Sequence, residues 1–389
     1  MKNTLGPPVS GNDFRYREKN LRKAVRLMKN GNSFLILGIR RTGKSSFLQQ
    51  TAYLLQQEDK DNVCIELDCQ TFKSPLDFYK GLYVEMPKDM QTRFRKFLND
   101  SKQLPVKLID FITDIFDNVE VGGSKIDFQD KLMNYSKPFE NLVTAFFKDT
   151  KNVYLFLDEL PFFFENMGGE PQDIAEITHA LTNLKSWRNA GLPMGITGSL
   201  NLHQQLDHLK ISRKLLGGLN TIELDPFTRA ESESFVNELL KSDKYDWWTP
   251  EITKKLLDLL PDFVPYFLQY AYNEIAVNEC KTPQAVEEVY HNEIISGLFK
   301  DFIYQFDERL GVFKGEELNT AMLVLDAIAI QKDINLKDLQ AKVGDSFSYE
   351  IIVKLIDYEF IKLSGSQKYS YTLQIIKNWW CTKRGIDVA

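Results

Sequence analysis

The sequence has few cysteines and no long apolar segment. Its four cysteines, Cys64, Cys69, Cys280 and Cys381, form no CxxC pair within the 389 residues. We therefore expect no disulfide framework, and we expect the four thiols to be free in a reducing compartment. No apolar run approaches the roughly 20 residues that cross a bilayer, and residues 1–14 lack the apolar core of a signal peptide. We expect a cytoplasmic protein with no membrane partner.

The sequence also has few histidines and no excess of positive charge. The four histidines show no metal-ligand spacing, since His203 and His208 are five residues apart and would lie on different helix faces. Lys and Arg number 48 against 54 Asp and Glu, a net charge of -6, which disfavours a surface that binds polyanions throughout. A local basic face remains open, because residues 14–29 predict an amphipathic helix with seven basic residues.

What is present is typical of a folded protein with more than one unit. Hydrophobic residues make up 43% and charged residues 26% of the chain, close to the averages of globular proteins. Short apolar runs alternate with helical patterns, which predicts a parallel α/β sheet. The predicted strands are residues 33–37, 63–67, 153–159, 191–199 and 220–224.

The remaining segments predict further units. Residues 75–150 are expected to be an inserted, mostly helical segment, with a hairpin around the Gly-Gly pair of residues 118–128. The chain becomes helical and acidic after Pro226, and its last 70 residues predict three helices and a hairpin, the pattern of a winged helix. We therefore expect domains at 1–225, 226–318 and 319–389.

The strongest motif follows the first predicted strand. Residues 38–45, GIRRTGKS, fit GxxxxGK[ST] and open a predicted helix, which is the context of a phosphate-binding P-loop. Backbone N–H groups of such a loop surround a triphosphate, Lys44 neutralises the β and γ phosphates, and the Ser45 hydroxyl binds magnesium. The predicted nucleotide contacts are Gly38, Arg40, Arg41, Thr42, Gly43, Lys44, Ser45 and Ser46.

A second motif ends the third predicted strand. Residues 153–159, VYLFLDE, place two carboxylates after an apolar run. Asp158 is expected to hold magnesium through water, as a Walker B aspartate does. Glu159 is expected to polarise the attacking water as a general base. ATP and Mg²⁺ are the cofactors that the two motifs imply.

These residues resemble the archaeal-type P-loop ATPases of the AAA+/STAND group. The resemblance covers most of the chain and includes FRYREKNLRKAV, the twin arginine of GIRRTGKSSFL, YLFLDELPFF, GITGSLNL, TIELDPFTRAES and the terminal winged helix. It implies a P-loop parallel β-sheet sandwiched by helices, a helical lid domain and a C-terminal winged helix.

The resemblance also implies roles for individual residues. The sensor residue that follows Walker B corresponds to Ser199, with Thr197 as the second candidate, and the lid contact to the nucleotide corresponds to Pro265. The position where the family has an arginine finger corresponds to Gly218, so the finger is either absent or displaced to Arg213.

The predicted winged helix does not by itself identify the binding partner. Its third helix carries Glu350, Asp357 and Glu359 against Lys354, whereas a DNA-reading helix carries basic and amide side chains. Packing against the ATPase core, a protein partner or self-association is therefore favoured over DNA. We expect an ATP-hydrolysing molecular switch whose nucleotide state controls its modules or a partner. Two alternatives remain: a DNA-associated, initiator-like ATPase or motor, and a nucleotide-binding scaffold without turnover.

Overall fold

The computed structural model describes residues 3–101, 106, 109–110, 113, 141–168, 170–198 and 202–387, without the side chains of Leu76 and Gln204. Ser199 and the hairpin expected at 118–128 lie outside the described residues. Those that are described form two compact units. One holds residues 17–37 and 45–223, and the other holds residues 3–16, 38–44 and 224–387.

The first unit is built on a five-stranded parallel sheet. Its strands are β1 (Phe34–Leu37), β2 (Val63–Asp68), β3 (Val153–Asp158), β4 (Met194–Gly198) and β5 (Asn220–Glu223), in the order β2-β3-β4-β1-β5. Every residue from Val153 to Leu157 is buried. Because successive side chains of a strand point to opposite faces, both faces of the sheet are covered. The parallel, doubly covered sheet expected from the sequence is confirmed.

Helices surround this sheet. They are α1 (Glu18–Lys29), α2 (Lys44–Glu58, whose first residue belongs to the other unit), α3 (Pro75–Val84), α4 (Lys88–Asn99), α5 (Leu160–Met167), α6 (Pro171–Asn189) and α7 (Leu202–His208), together with helical residues 141–149. The close packing of the sheet explains Gly195, because a Cβ there would lie 2.7 Å from the Phe34 ring and 2.9 Å from the Phe156 ring. This position therefore admits no larger residue without repacking.

The second unit contains the lid helices. These are α8 (Arg229–Asp243), α9 (Pro250–Leu259), α10 (Pro265–Val277), α11 (Pro283–Val289), α12 (Ile295–Leu298) and α13 (Tyr304–Leu310). The last three form one continuous helix with two π-helical turns, Tyr290–Ile294 and Phe299–Ile303. Such turns are rare and are frequent at functional sites.

The C-terminal part of this unit has the element order expected of a winged helix. Helices α14 (Gly315–Gln331), α15 (Leu336–Val343) and α16 (Tyr349–Asp357) pack with a three-stranded antiparallel sheet, and α17 (Gln374–Arg384) follows it. The strands are β6 (Ile334–Asn335), β7 (Ile361–Leu363) and β8 (Lys368–Tyr371), in the order β6-β8-β7. The fold class expected from the sequence is confirmed, whereas the limits of the three domains stay a prediction.

Polar contacts join the lid helices to the C-terminal helices. Arg309 forms an ion pair of 2.5 Å with Glu359, whose side chain is only 1% exposed. The Asp262 carboxylate accepts hydrogen bonds from the backbone N–H groups of Gln374 and Ile375, at 2.9 and 2.8 Å. It thereby caps α17, since the first N–H groups of a helix have no partner within the helix. The lid and the C-terminal helices are therefore held together within this unit.

Aromatic side chains reinforce the same junction. The Phe306 ring of α13 lies 5.4 Å from Phe360 and 6.4 Å from Trp379. Trp379 and Trp380 are both buried. None of the helices in the described part of the chain is both long and apolar enough to cross a bilayer.

Candidate functional site

The loop Gly38–Lys44 closes on itself through two side chains. The Thr42 hydroxyl donates to the carbonyl of Ile39 at 2.8 Å. The Lys44 ammonium donates to the carbonyls of Gly38 at 2.8 Å and Ile39 at 3.2 Å, and Lys44 is only 4% exposed. The ammonium is thus held over the loop by neutral carbonyl oxygens, which a charged phosphate oxygen can replace.

The backbone of this loop has a conformation suited to anions. Arg41 has a φ of 73° and Gly43 a φ of 86°. Glycine adopts the φ of Gly43 without strain, whereas an L side chain would be strained there. Loops that alternate between right- and left-handed residues turn successive N–H groups toward one concave side, where anions bind. The loop is followed at once by α2, with Ser45 and Ser46 in its first turn.

Both arginines of the loop are exposed. Arg41 places its guanidinium carbon 4.3 Å from the centre of the Tyr266 ring. Tyr266 is the second residue of α10, directly after Pro265, which starts that helix. At the start of α10, the residue that contacts the loop is therefore Tyr266, the neighbour of the proline predicted to contact the nucleotide.

At the end of β3, one hydroxyl connects the two predicted acidic residues. The Thr197 hydroxyl accepts a hydrogen bond from the backbone N–H of Glu159 at 2.8 Å and donates to Oδ1 of Asp158. Thr197 is fully buried on β4. Glu159 has a φ of 51° and immediately precedes α5. This contact fixes the turn in which the chain leaves the sheet and carries both carboxylates.

Two solved structures are similar to this chain over nearly its whole length. The Walker-type ATPase PABY2304 of Pyrococcus abyssi matches with a TM-score of 0.62 and 18% identity, covering 98% of this chain and 99% of that one. The ORC2 protein of Aeropyrum pernix, in ADPNP–ADP complexes, matches with a TM-score of 0.52 and 11% identity over 97% of both chains. The chain has the fold of the AAA+ P-loop ATPases. No protein-family model and no curated protein sequence matches it.

The polar groups available for magnesium in this AAA+ fold are oxygen donors. Ser45 and Asp158 supply a hydroxyl and a carboxylate, the ligand types that Mg²⁺ prefers. One Asp158 oxygen accepts from Thr197. The second oxygen of that carboxylate could accept a magnesium-bound water. The donor chemistry therefore fits the ion that the two motifs imply.

Arg213, the position to which the family's arginine finger would be displaced if it is present, has a partner within the chain. Arg213 donates from Nε to Oδ1 of Asp207 at 2.8 Å, and a second bond joins its Nη2 to Oδ2. The hydrogen bond from Arg213 lowers the pKa of the Asp207 carboxyl. Gly218 has a φ of 84°, a conformation that would strain an arginine at that position. The absence of a finger remains a prediction.

The third helix of the C-terminal part, α16, exposes no unpaired lysine among its described side chains. Tyr349 and Glu350 are exposed, and Lys354 pairs with Glu317 at 2.8 Å and with Glu350 at 3.5 Å. Glu359, just after the helix, is buried against Arg309. The one lysine of this helix is therefore engaged with carboxylates.

Two site residues were missed or ranked low by sequence reasoning. The sequence motifs do not single out Tyr266, although its place directly after Pro265 in the first turn of a lid helix is a usable signal. Thr197 was ranked below Ser199, which lies outside the described residues. The alternation of a strand could have favoured a residue that faces the neighbouring strand end, but which hydroxyl reaches Asp158 depends on the β3–β4 register.

Proposed function

We propose that this chain binds ATP with Mg²⁺ at its P-loop and hydrolyses it, and that its nucleotide state controls the arrangement of its modules or the binding of a partner. The observation that carries the proposal is the loop itself. Its lysine is buried, and its ammonium donates to the loop carbonyls of Gly38 and Ile39. A triphosphate would supply stronger, charged acceptors at that place.

The proposed chemistry assigns one task to each side chain. Lys44 binds the β and γ phosphates, the Ser45 hydroxyl binds the metal, and Asp158 holds it through water. Bound magnesium neutralises charge that develops on the phosphates. Glu159 accepts a proton from the attacking water. Thr197 keeps the Asp158 carboxylate and the Glu159 backbone in fixed positions.

The matched pair Lys44→Ala and Lys60→Ala tests the binding step. Lys60 is an exposed lysine just after α2, so its loss should leave ATP affinity unchanged. We expect Lys44→Ala to abolish or greatly weaken ATP binding in titration calorimetry while circular dichroism stays native, because the ammonium binds phosphate and is not part of the apolar core. Equal affinities in the two variants would remove the P-loop assignment.

A second candidate function is a DNA-associated ATPase, and the surface of α1 favours it. Three basic residues of this helix are exposed: Lys19, Arg22 and Arg26. They are three and four residues apart, so they are neighbours on one face of the helix. Labelled duplex DNA, titrated by anisotropy at about 50 and about 200 mM salt, tests it. Binding that falls steeply with salt and weakens in Arg22→Ala would favour this candidate. Equal and negligible binding by both proteins would favour the switch.

A further inference from the structure

The guanidinium of Arg41 stacks with its flat face on an aromatic ring. It lies 4.3 Å from the centre of the Tyr266 ring, and its N–H groups make no hydrogen bond within the part of the chain that the structure describes. A guanidinium that stacks on an aromatic ring keeps its donors, which lie in its own plane, available for an anion. The stack therefore orients Arg41 without using the groups that recognise phosphate.

Tyr266 has two further contacts besides Arg41. Its hydroxyl donates to Oδ2 of Asp301 at 3.3 Å, and its ring stacks with Tyr270 at 6.2 Å. Tyr270 in turn lies against the backbone of Gly297, where a Cβ would be 2.0 Å from its hydroxyl oxygen. The ring that carries Arg41 is thus supported by the long helix of residues 283–310.

The same long helix contacts the C-terminal part of the unit. Asp301 lies in the π-helical turn Phe299–Ile303. One residue on, Phe302 packs against Phe306, which contacts Phe360 and Trp379. A continuous series of contacts therefore runs from the loop arginine to the C-terminal helices.

We propose that Tyr266 is a positioning residue that presents the N–H edge of Arg41 to the phosphates of the bound nucleotide. The inference rests on the proposed function and deepens it, because it assigns the second arginine of the loop to phosphate recognition and names the lid residue on which that recognition depends. Occupancy of the loop is then sensed by α10 and by the helix that carries Asp301.

The binding test compares three tyrosine variants by calorimetry with ATP and magnesium. Tyr266→Leu removes the ring and should weaken ATP binding about fivefold, the value of an exposed cation–π contact. Tyr266→Phe keeps the ring and should bind within about twofold of wild type. Tyr304→Leu alters an exposed lid tyrosine that bonds Glu308 and should have no effect. An unchanged Tyr266→Leu would overturn the proposal.

A double variant separates positioning from a general loss of stability. If Tyr266 acts through Arg41, then Arg41→Gln and Tyr266→Leu together should bind ATP no more weakly than Arg41→Gln alone. Effects that multiply would show that the ring acts independently of the arginine, and would overturn the proposal.

A measurement without nucleotide tests the contact itself. The side-chain N–H resonance of Arg41 should be shifted upfield by the Tyr266 ring, with the shift retained in Tyr266→Phe and lost in Tyr266→Leu. Absence of that shift in the wild-type chain would overturn the proposed contact, whatever ATP does. A wild-type chain that shows the shift but binds no ATP would instead overturn the proposed function, and with it the role given to Arg41.

Discussion

A single hydroxyl, that of Thr197, holds the two acidic residues at the end of β3. It accepts from the backbone N–H of Glu159 and donates to the Asp158 carboxylate. Its full burial means that no water can replace it without repacking. The position of the Asp158 carboxylate and of the Glu159 backbone therefore depends in part on a side chain that need not touch the nucleotide.

We predict that Thr197→Val lowers kcat for ATP by about 10²-fold, because misplacing a reacting group by an ångström costs about that much. KM should change little, and Thr197→Ser should restore most of the rate because it keeps the hydroxyl. Steady-state ATPase kinetics measure both values. Thr178→Val, which removes a hydroxyl bonded to the carbonyl of Ile174 on α6, is the control. A Thr197→Val rate equal to that of the control would contradict the assigned role.

Asp158 is expected to act through magnesium. Asp158→Asn keeps an acceptor for Thr197 but loses the negative charge, so it should weaken ATP binding more in magnesium than in EDTA. Calorimetry under the two conditions measures the difference. Equal losses would indicate that Asp158 only maintains the structure of the β3 turn.

At the scale of whole elements, the strands followed from the sequence more closely than the helices did. Continuous apolar runs predicted all five strands of the parallel sheet, because strands buried on both faces carry few polar residues. The helix expected over 14–29 begins only at Glu18, since Tyr16 and Arg17 have φ values of 64° and 69°. The hydrophobic pattern of a sequence does not indicate such left-handed backbone conformations, so the start of this helix could not be predicted from it.

The candidate site was predictable where its residues are neighbours in the chain. The P-loop and the Asp158–Glu159 pair have fixed local spacings and were found from them. The contacts of Arg41 with Tyr266 and of Thr197 with Asp158 join residues that are distant in sequence. They depend on helix packing and strand register, which a single sequence does not specify residue by residue.

A buried ion pair is one of the contacts that join the lid to the C-terminal helices. Arg309→Met leaves the Glu359 carboxylate buried without its partner, and it should lower the free energy of unfolding by about 3–5 kcal/mol. Lys383→Met breaks an exposed pair with Asp307 and should cost no more than about 1 kcal/mol. Urea denaturation of the full chain compares the two. Equal losses of stability would contradict the role given to the buried pair.

At the scale of the molecule, the loop Gly38–Lys44 belongs to the same compact unit as the lid and the C-terminal helices. Within that unit, polar and aromatic contacts join the lid to the C-terminal part, and the lysine of α16 pairs with Glu317 and Glu350. In the proposed function, nucleotide bound at the loop therefore acts on the lid and the C-terminal helices together. Hydrolysis would reset that state.

Hydrolysis of ATP by this chain is tested by comparing the ATP turnover of the wild type with that of Glu159→Gln. The substitution keeps shape and hydrogen bonding but removes the base, so turnover should fall by about 10²–10⁴-fold while ATP still binds. Glu233→Gln, at an exposed glutamate of α8, should keep the wild-type rate. A wild type without turnover above background would favour the scaffold, and a Glu159→Gln variant as fast as wild type would contradict the account.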